Sequence, residues 1–262
     1  MSTGALFSQF PKERVPLPPE YAAIYLKHYR NSREGNSQIL SLAKLAERWM
    51  HQKVAADVKQ GAPRSTLELG AGTLNQLPYE PHSNPYDIVE PFRDLYQSSP
   101  HLDRIRNLYH DISEVPADAK YQRVTSVAVL EHVCNLPELI AQSALFLADG
   151  GSFRAGIPSE GTILWRLGWQ MTTALDFRTR YNLDYKVLMA YEHVNTAREI
   201  EEVLSHFFTE THSRVFGLSR ALSFYQFFAC SNPRLDRCHD YLEGQQCHPE
   251  AGEARRGTSQ AV

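Results

Sequence analysis

Short apolar runs, separated by helical or turn segments, fill the chain from residue 65 to about residue 157. The runs read TLEL, YDIVE, IRNLY, RVTSVAVL and GSFRAGI. This alternation predicts an α/β fold in which a parallel sheet carries crossover helices on both faces. Two later runs, ETHSRVFGL and ALSFYQFFACS, are close enough together to pair as an antiparallel hairpin at one edge of the sheet.

Segments whose apolar residues have helical spacing lie before the first predicted strand and after the fifth. Before the first strand, residues 21–61 show this spacing. The residues that it places on one helix face are Ile39, Leu42, Leu45, Ala46 and Trp49. After the fifth strand, TAREIEEVLSHFF predicts a helix that begins with a capping box, because Thr196 and Glu199 have the required spacing.

The composition changes at three points along the chain. Residues 160–194 interrupt the strand rhythm with mixed helical character and many aromatic residues, and the apolar periodicity is lost from about Pro233. A segment without such periodicity buries too little apolar surface to fold by itself. The expected organisation is a helical extension or cap over 1–62, a main domain over 63–232 with a substrate-cap insert over about 160–194, and a disordered tail over 233–262.

Size and charge narrow the classes of partner. With 262 residues and 42% hydrophobic content, the chain is long enough for one large α/β domain with a full core. Its formal charge of −3 gives no general attraction to nucleic-acid phosphates or to an anionic membrane. We find neither an apolar run of membrane-spanning length nor a secretion signal, and the four cysteines are scattered. We therefore expect a cytoplasmic protein with a small-molecule partner, no nucleic acid and no membrane span; the oligomeric state is not readable.

A glycine-rich turn follows the first predicted strand, in STLELGAGTLN. Gly70 and Gly72 suit a sharp bend that a ligand approaches closely, because they carry no side chain. A dinucleotide site would have a third glycine at position 75, where this chain has Asn75. Glu68 adds a carboxylate where a diphosphate would need positive or dipolar partners. A cationic ligand therefore fits the turn better than a diphosphate.

The turn and four later stretches resemble the motifs of class I S-adenosylmethionine-dependent methyltransferases of the UbiE- and UbiG-like type. LELGAGTLN is similar to the first motif, although Leu74 stands where the family most often has a third glycine. The later matches are Glu90 at the end of the second strand, Asp111-Ile112 after the third, YQRVTSVAVLEHV through the exit of the fourth, and LFLADGG before the fifth. The resemblance implies a Rossmann-like seven-stranded sheet, mostly parallel with a reversed last strand, and S-adenosylmethionine as the cofactor.

The resemblance also implies which residues bind that cofactor. In the family, the acid that ends the second strand hydrogen-bonds both ribose hydroxyls, a role that falls to Glu90. The acid after the third strand takes the adenine amine and its apolar neighbour packs on the ring, roles that fall to Asp111 and Ile112. The full expected set is Glu68, Gly70, Ala71, Gly72, Asn75, Glu90, Pro91, Asp111, Ile112, Ser126 and Val127.

Methyl transfer needs alignment of the reacting atoms and, for a weakly acidic acceptor, a base. His132 in LEHV and His193 in YEHVN are the candidate catalytic residues, because imidazole titrates near neutral pH. The alternative is structural: Glu131 and His132 hold their turn by hydrogen bonds, and His193 orients Asn195. Some related enzymes hold a divalent ion with two acids and a histidine at this exit; here Ala128 replaces the first acid, so we expect no required metal.

The aromatic residues of the insert predict one wall of a substrate pocket. Half or more of them should instead be structural, since they are too many for a small pocket: Trp165, Trp169, Phe177, Tyr181, Tyr185 and Tyr191. A looser resemblance to bacterial methyltransferases of polysaccharide and natural-product pathways favours O-methylation of a sugar, glycan or related metabolite. A non-catalytic S-adenosylmethionine-binding protein and a nicotinamide-dependent oxidoreductase are the alternatives.

Overall fold

Seven strands form one sheet in the computed structural model, which describes residues 7–25, 41–58, 63–162, 164–165 and 173–246. The strands are β1 (Thr66–Leu69), β2 (Tyr86–Val89), β3 (Asn107–Tyr109), β4 (Tyr121–Val127), β5 (Leu147–Pro158), β6 (Phe208–Gly217) and β7 (Ser223–Pro233). Their order across the sheet is β3-β2-β1-β4-β5-β7-β6. Strands β1 to β5 pair in parallel, and β7 is antiparallel to both of its neighbours. The predicted α/β architecture, its edge hairpin and its reversed last strand are confirmed.

Helices cover the sheet on both faces. They are α1 (Ser41–Val54), α2 (Arg93–Tyr96), α3 (Leu136–Leu145), α4 (Thr173–Tyr181), α5 (Tyr185–Glu192), α6 (Ala197–Phe207) and α7 (Leu235–Gln246); residues 19–25 are helical as well. The capping box predicted at the start of α6 is confirmed, because the side chains of Thr196 and Glu199 each bond the other's backbone N–H. None of the described helices is long and apolar enough to cross a membrane.

Helix α1 packs on the sheet through Ala46, Met50 and Val54, which are spaced by one helical turn. Met50 lies over Gly156 of β5, where an added Cβ would come within 2.1 Å of its Cγ. This close approach sets which face of α1 is buried. Leu45 is 53% exposed, so it does not share the buried face of Ala46, with which its spacing groups it. The predicted Ile39 lies outside the described residues.

Two buried arginines fix the C-terminal end of α1 to the sheet. Arg123 of β4 donates to the carbonyl oxygen of Val54 at 3.0 Å, and Arg154 of β5 donates to the same oxygen at 2.8 Å. Asp57 balances them, with carboxylate oxygens 3.0 Å from Nε of Arg123 and 3.1 Å from Nε of Arg154. Because the last carbonyls of a helix have no partners within it, these contacts stabilise α1 in its place on the sheet.

The connection from β1 to β2 contains a 3-10 turn, Leu77–Tyr79, and no α-helix. Helix α1 packs beside it: the ring of His51 stacks on Tyr79 at 5.2 Å, and His51 Nδ1 lies 2.8 Å from Oε1 of Gln76. The N-terminal extension therefore supports the turn that follows β1.

The start of the predicted disordered tail is a helix. In α7, Cys238 is buried, and the ring of Tyr241 lies 5.7 Å from Phe207 and 5.5 Å from Phe7. The prediction of disorder is wrong for residues 235–246, because apolar side chains one turn apart pack on the core formed with α3 and α6. The rest of the tail, 247–262, lies outside the described residues.

A second, smaller core joins the N-terminal segment to the insert. It contains Tyr21, Tyr25, Phe177 and Leu188. Residues 7–18 lead to it across the exit of β4, where the backbone N–H of residue 12 donates to the carbonyl of residue 134 at 2.9 Å. The cap over this end of the sheet is thus built from two parts of the chain that are far apart in sequence.

Candidate functional site

The turn after β1 is a left-handed bend that lies against the exit of β4. Gly70, Gly72 and Leu74 have φ angles of +64°, +51° and +65°. A Cβ at Gly70 would lie 2.5 Å from Cγ2 of Val129. A glycine is therefore required at position 70, because the backbone is left-handed there and because the side chain of Val129 approaches it closely.

Leu74 keeps the left-handed conformation although it has a side chain. That side chain is fully buried with Leu77, Tyr86 and Ile88 in a small core below the turn. Ala71, also in the predicted cofactor-binding set, belongs to the same core, whereas Asn75 is exposed on the turn. The residue at the family's third glycine position thus anchors the turn from below.

Glu90 connects the turn to the end of β2. Its carboxylate accepts hydrogen bonds from the backbone N–H of Gly72 at 2.7 Å and of Phe92 at 2.9 Å, and the residue is 4% exposed. Pro91, beside it, is exposed. An ionised carboxylate accepts several hydrogen bonds at once, so this side chain can hold the turn and receive sugar hydroxyls together.

Glu68 lies inside the sheet, where Tyr86 donates its phenol proton to the carboxylate at 2.9 Å. The residue is 2% exposed. Burial, together with the nearby carboxylates of Glu80 and Glu90, raises the pKa of Glu68 to about 8, although the hydrogen bond from Tyr86 acts in the opposite direction. The structure places Glu68 as a link between β1 and β2 rather than at an open edge.

The exit of β4 carries a buried hydroxyl with no hydrogen-bond partner among the described residues. This atom is Oγ of Ser126, whose residue pairs in register with Leu69 at the end of β1. Val127 follows and is half-buried, and Ala128 has a left-handed φ of +54°. The Ser126 hydroxyl therefore lies where the carboxyl ends of β1 and β4 meet; Oγ1 of the adjacent Thr125 is likewise buried without a partner among the described residues.

Asp111 and Ile112 follow β3. Asp111 is exposed, and its carboxylate caps a 3-10 turn by accepting from the backbone N–H of Ser113 at 2.9 Å and from its hydroxyl at 2.6 Å. Ile112 is nearly buried. The carboxylate of Asp111, a hydrogen-bond acceptor, is thus next in sequence to the apolar side chain of Ile112. Such a pair suits a flat ring, with the carboxylate at the ring's edge and the apolar side chain on its face.

These residues share one edge of the sheet. The carboxyl ends of parallel strands β1 to β4 lie together, and the chain order reverses between β1 and β4. A ligand crevice forms at such a switch point. The structure therefore brings together Gly70, Gly72, Glu90, Asp111 and Ser126 from the predicted set.

The two predicted catalytic histidines are neighbours. The ring centroids of His132 and His193 are 4.8 Å apart. Nδ1 of His132 lies 2.9 Å from the carbonyl oxygen of Glu192, and Nδ1 of His193 lies 2.8 Å from Oε2 of Glu160. Each imidazole is therefore oriented by a contact at its Nδ1, and Nε2 of His132 also lies 3.7 Å from Oε1 of Glu131.

Burial and charged neighbours shift the pKa values of the groups around the two histidines. Glu131 is 1% exposed, and burial raises its pKa to about 7. Burial lowers the pKa of His193, but the hydrogen bond that its ring donates to Glu160 and the charges of Glu131, Glu160 and Glu192 outweigh this effect, so the net pKa is raised. The expected structural role of His193 in orienting Asn195 is not what the structure describes: the side-chain amide of Asn195 donates to carbonyls of the β4 exit.

The donor atoms of Glu131, His132 and His193 lie within 4.8 Å of one another. One carboxylate and two imidazoles do not match the oxygen set that magnesium or calcium prefers. Ala128, at the position of the family's first acid, supplies no further oxygen from its side chain. We therefore do not assign this group as a site for a hard divalent cation.

The aromatic residues of the insert divide into two groups. Trp165 lies beside the histidines, with its ring 6.4 Å from His193 and 5.5 Å from Tyr225 of β7. Phe177 is buried in the smaller core of the cap. The residues packed around that core include Tyr181, Tyr185 and Tyr191, whereas Trp169 lies outside the described residues. Most of the described aromatic side chains are thus structural, and Trp165 borders the candidate catalytic cluster.

Sequence reasoning missed Glu160, Tyr225 and Val129. Glu160 comes just after the end of β5, at the same edge of the sheet as the other site residues. An acid directly after a predicted parallel strand was the available signal for it. Nothing in the local sequence marks Tyr225 or Val129, because their contacts are made across the fold.

A groove of about 1010 Å³ borders Glu160. Its lining includes Thr162, Arg198, Glu201, His206 and Arg220. None of the predicted cofactor-binding residues lines it. The groove is therefore distinct from the crevice at the ends of β1 to β4.

No model of a known protein family matches the chain, and no curated protein matches it either. Several solved structures, by contrast, match the chain. An S-adenosylmethionine-dependent methyltransferase from Thermotoga maritima is 13% identical, with a TM-score of 0.51, over 80% of this chain and 97% of that one. The 1,6-didemethyltoxoflavin-N1-methyltransferase of Burkholderia thailandensis, with its substrate and S-adenosylhomocysteine bound, is 18% identical, with a TM-score of 0.51, over 84% and 92%.

A third solved structure, the plantazolicin methyltransferase BpumL in complex with S-adenosylhomocysteine, is 13% identical, with a TM-score of 0.51, over 87% of this chain and 94% of that one. At such identities a likeness establishes the fold. The chain therefore has the class I methyltransferase fold that its motif order predicts.

Proposed function

We propose that the protein is an S-adenosylmethionine-dependent methyltransferase acting on a small molecule, and that the acceptor is a hydroxyl of a sugar, glycan or related metabolite. The observation that carries the proposal is the hydrogen bond from Gly72 N–H to the carboxylate of Glu90, which joins the bend after β1 to the end of β2. The solved relatives named above are methyltransferases of small molecules or bind S-adenosylhomocysteine. The low charge and scattered cysteines further support a cytoplasmic enzyme without a nucleic-acid partner.

The residues present fit the cofactor. Glu90 would hold the ribose hydroxyls, Asp111 the adenine amine, and Ile112 the face of the ring. Ser126 Oγ, which is buried and has no partner among the described residues, would supply one more polar contact. The bend at Gly70 and Gly72 leaves room for close approach of the ligand to the backbone.

When bound, S-adenosylmethionine supplies a methyl group on a sulfonium, which is transferred by in-line displacement. The protein's part is to hold the acceptor in line with that methyl group and to remove its proton if the acceptor is a weak acid. His132 at the β4 exit and His193 after α5 are our candidates to receive that proton. Trp165 lies beside His193, and Tyr225 packs against Trp165.

The proposal is tested by incubating the protein with isotope-labelled S-adenosylmethionine and fractions of cell extract. Label on a small molecule in one fraction, identified by mass spectrometry as a new methyl ether, is the expected result. Label on nucleic acid only, or on none of the fractions while the cofactor fails to bind, would contradict it. Label on nitrogen or carbon would keep the enzyme class and change the acceptor.

Replacing the histidines one at a time should separate their roles. If His193 is the base, His193→Gln is expected to lower kcat by about 100-fold or more, within the usual contribution of a general base. His132→Gln should then have the smaller effect, because Nδ1 of His132 contacts the neutral backbone carbonyl of Glu192, whereas Nδ1 of His193 contacts a carboxylate that balances an imidazolium. Turnover is the measurement, and a histidine whose replacement leaves turnover unchanged is not the base.

We also propose that transfer requires no magnesium or calcium, because the cluster at the β4 exit offers a single carboxylate. Full activity in excess EDTA is the expected result. Activity lost to the chelator and regained with magnesium would overturn this proposal.

A cofactor-binding protein without catalysis is the second candidate, because His193 is more protonated near neutral pH than an ordinary histidine and a protonated imidazole accepts no proton. Binding of S-adenosylmethionine without transfer to any acceptor in a broad panel would favour this candidate. Reduction of a nicotinamide nucleotide would instead point to the oxidoreductase alternative.

A further inference from the structure

A carboxylate and an imidazole from distant parts of the chain meet above the end of β5. Glu160 follows β5 by two residues, and His193 directly follows α5. The distance from Glu160 Oε2 to His193 Nδ1 is 2.8 Å, and the side chains are 22% and 10% exposed. A pair this close and this well shielded from water is an effective charge-assisted hydrogen bond.

Glu160 is itself held from two sides. The indole N–H of Trp165 donates to the same oxygen, Oε2. The backbone carbonyl of Glu160 accepts from the N–H of Ala197, at the start of α6, at 3.1 Å. The carboxylate thus has a fixed position relative to the sheet and to the cap.

The contact with Glu160 determines which ring nitrogen of His193 carries the proton. An ionised carboxylate only accepts hydrogen bonds, so the proton between the two groups belongs to Nδ1 of His193. In the neutral ring, Nε2 then holds the lone pair. It is the one ring nitrogen able to take up a proton.

We propose that Glu160 is a positioning residue, which keeps His193 in the Nδ1–H tautomer so that Nε2 accepts the proton of the acceptor hydroxyl. This inference rests on the proposed methyl transfer. In that step the O–H bond breaks and its proton goes to Nε2, while the acceptor oxygen bonds to the methyl carbon. The carbon–sulfur bond breaks and its electron pair stays on sulfur, and Glu160 balances the imidazolium that forms.

The other charged groups around His193 come from each element packed against it. Glu131 and His132 belong to the β4 exit, and Glu192 ends α5. From the N-terminal segment, Arg14 donates to the carbonyl of His132 at 2.8 Å. Glu160 is the member of this group that bonds the ring of His193 directly.

Two variants test the role of Glu160. Glu160→Gln keeps the shape but removes the charge, and we expect kcat to fall about 10- to 100-fold with unchanged binding of S-adenosylmethionine. Because the carboxylate raises the pKa of His193, its removal should move the rising limb of the rate profile to lower pH. Glu160→Asp should restore part of the rate. Glu201→Gln, a carboxylate paired with Arg220 on the surface, is the matched control and should leave the rate unchanged.

A second measurement needs no acceptor. Nitrogen NMR of the protein with S-adenosylhomocysteine bound should show neutral His193 with its proton on Nδ1, and Glu160→Ala should reduce that tautomer. An Nε2–H tautomer in the unaltered protein, or a Glu160→Gln variant with the original kcat and pH profile, would overturn the role of Glu160. Failure of the unaltered protein to bind S-adenosylmethionine would instead contradict the proposed function, so the two failures are distinguishable.

Discussion

Replacing Gly70 by alanine is expected to abolish measurable binding of S-adenosylmethionine and to lower the free energy of unfolding by about 3 kcal/mol. About 1 kcal/mol of this is the cost of a left-handed conformation for a residue with a Cβ. The rest is overpacking, since that Cβ would lie 2.5 Å from Cγ2 of Val129. Relief of the clash would move the turn away from Glu90 and the ends of the strands.

Gly150 is the matched control for this experiment. It has a φ of +70°, close to the +64° of Gly70, but a Cβ there would meet nothing within 4 Å. Gly150→Ala should therefore cost about 1 kcal/mol and leave cofactor binding intact. Adding Val129→Ala to Gly70→Ala should recover part of the lost stability, as chemical denaturation of the two single variants and the double variant would show. Equal effects at Gly70 and Gly150 would contradict the packing argument.

Replacing Glu90 by glutamine is expected to weaken binding of S-adenosylmethionine by about 100-fold. Each oxygen of the carboxylate accepts a hydrogen bond from one backbone N–H group. In glutamine an amide nitrogen, which cannot accept, replaces one of these oxygens, so one of the two hydrogen bonds is lost. The lost charge also weakens each hydrogen bond from a ribose hydroxyl, and charged hydrogen bonds contribute about 1.5–3 kcal/mol each. Isothermal titration calorimetry measures the effect.

Asp118→Asn serves as the control for Glu90, because this carboxylate is exposed and lies outside the crevice. The affinity of the Asp118→Asn variant for S-adenosylmethionine should match that of the unaltered protein. A melting temperature measured for both variants separates a loss of binding from a loss of folding. Unchanged affinity in a folded Glu90→Gln variant would remove Glu90 from the site.

The sheet was predictable because each strand is a short apolar run ended by a turn signal. The alternation also predicted the edge hairpin. Prediction failed where tertiary packing decides the outcome. Leu45 has helical spacing like its neighbours, yet the fit of Met50 over Gly156 turns it to solvent. In α7, the spacing of Cys238 and Tyr241 was hidden among polar residues and became meaningful only through the ring contacts with Phe7 and Phe207.

The grouping of the candidate cofactor-binding residues at one edge of the sheet was largely predictable, because most of them lie at or after the carboxyl ends of neighbouring parallel strands. The catalytic cluster was predictable only in part. His132 and His193 stood out as imidazoles in the right regions, but Glu160 did not. Its contact with His193 joins residues 33 positions apart in sequence, and it depends on how the insert folds back on β5. Leu74 was a departure from the family pattern, and its buried side chain shows how a leucine can occupy a glycine's conformation.

The most direct test of the account is a crystal structure of the protein grown with saturating S-adenosylhomocysteine. The account predicts the nucleoside across the ends of β1 to β4, with both ribose hydroxyls on Glu90 and the adenine between the carboxylate of Asp111 and the side chain of Ile112. A nucleoside bound elsewhere, or a crevice without ligand at that concentration, would contradict it.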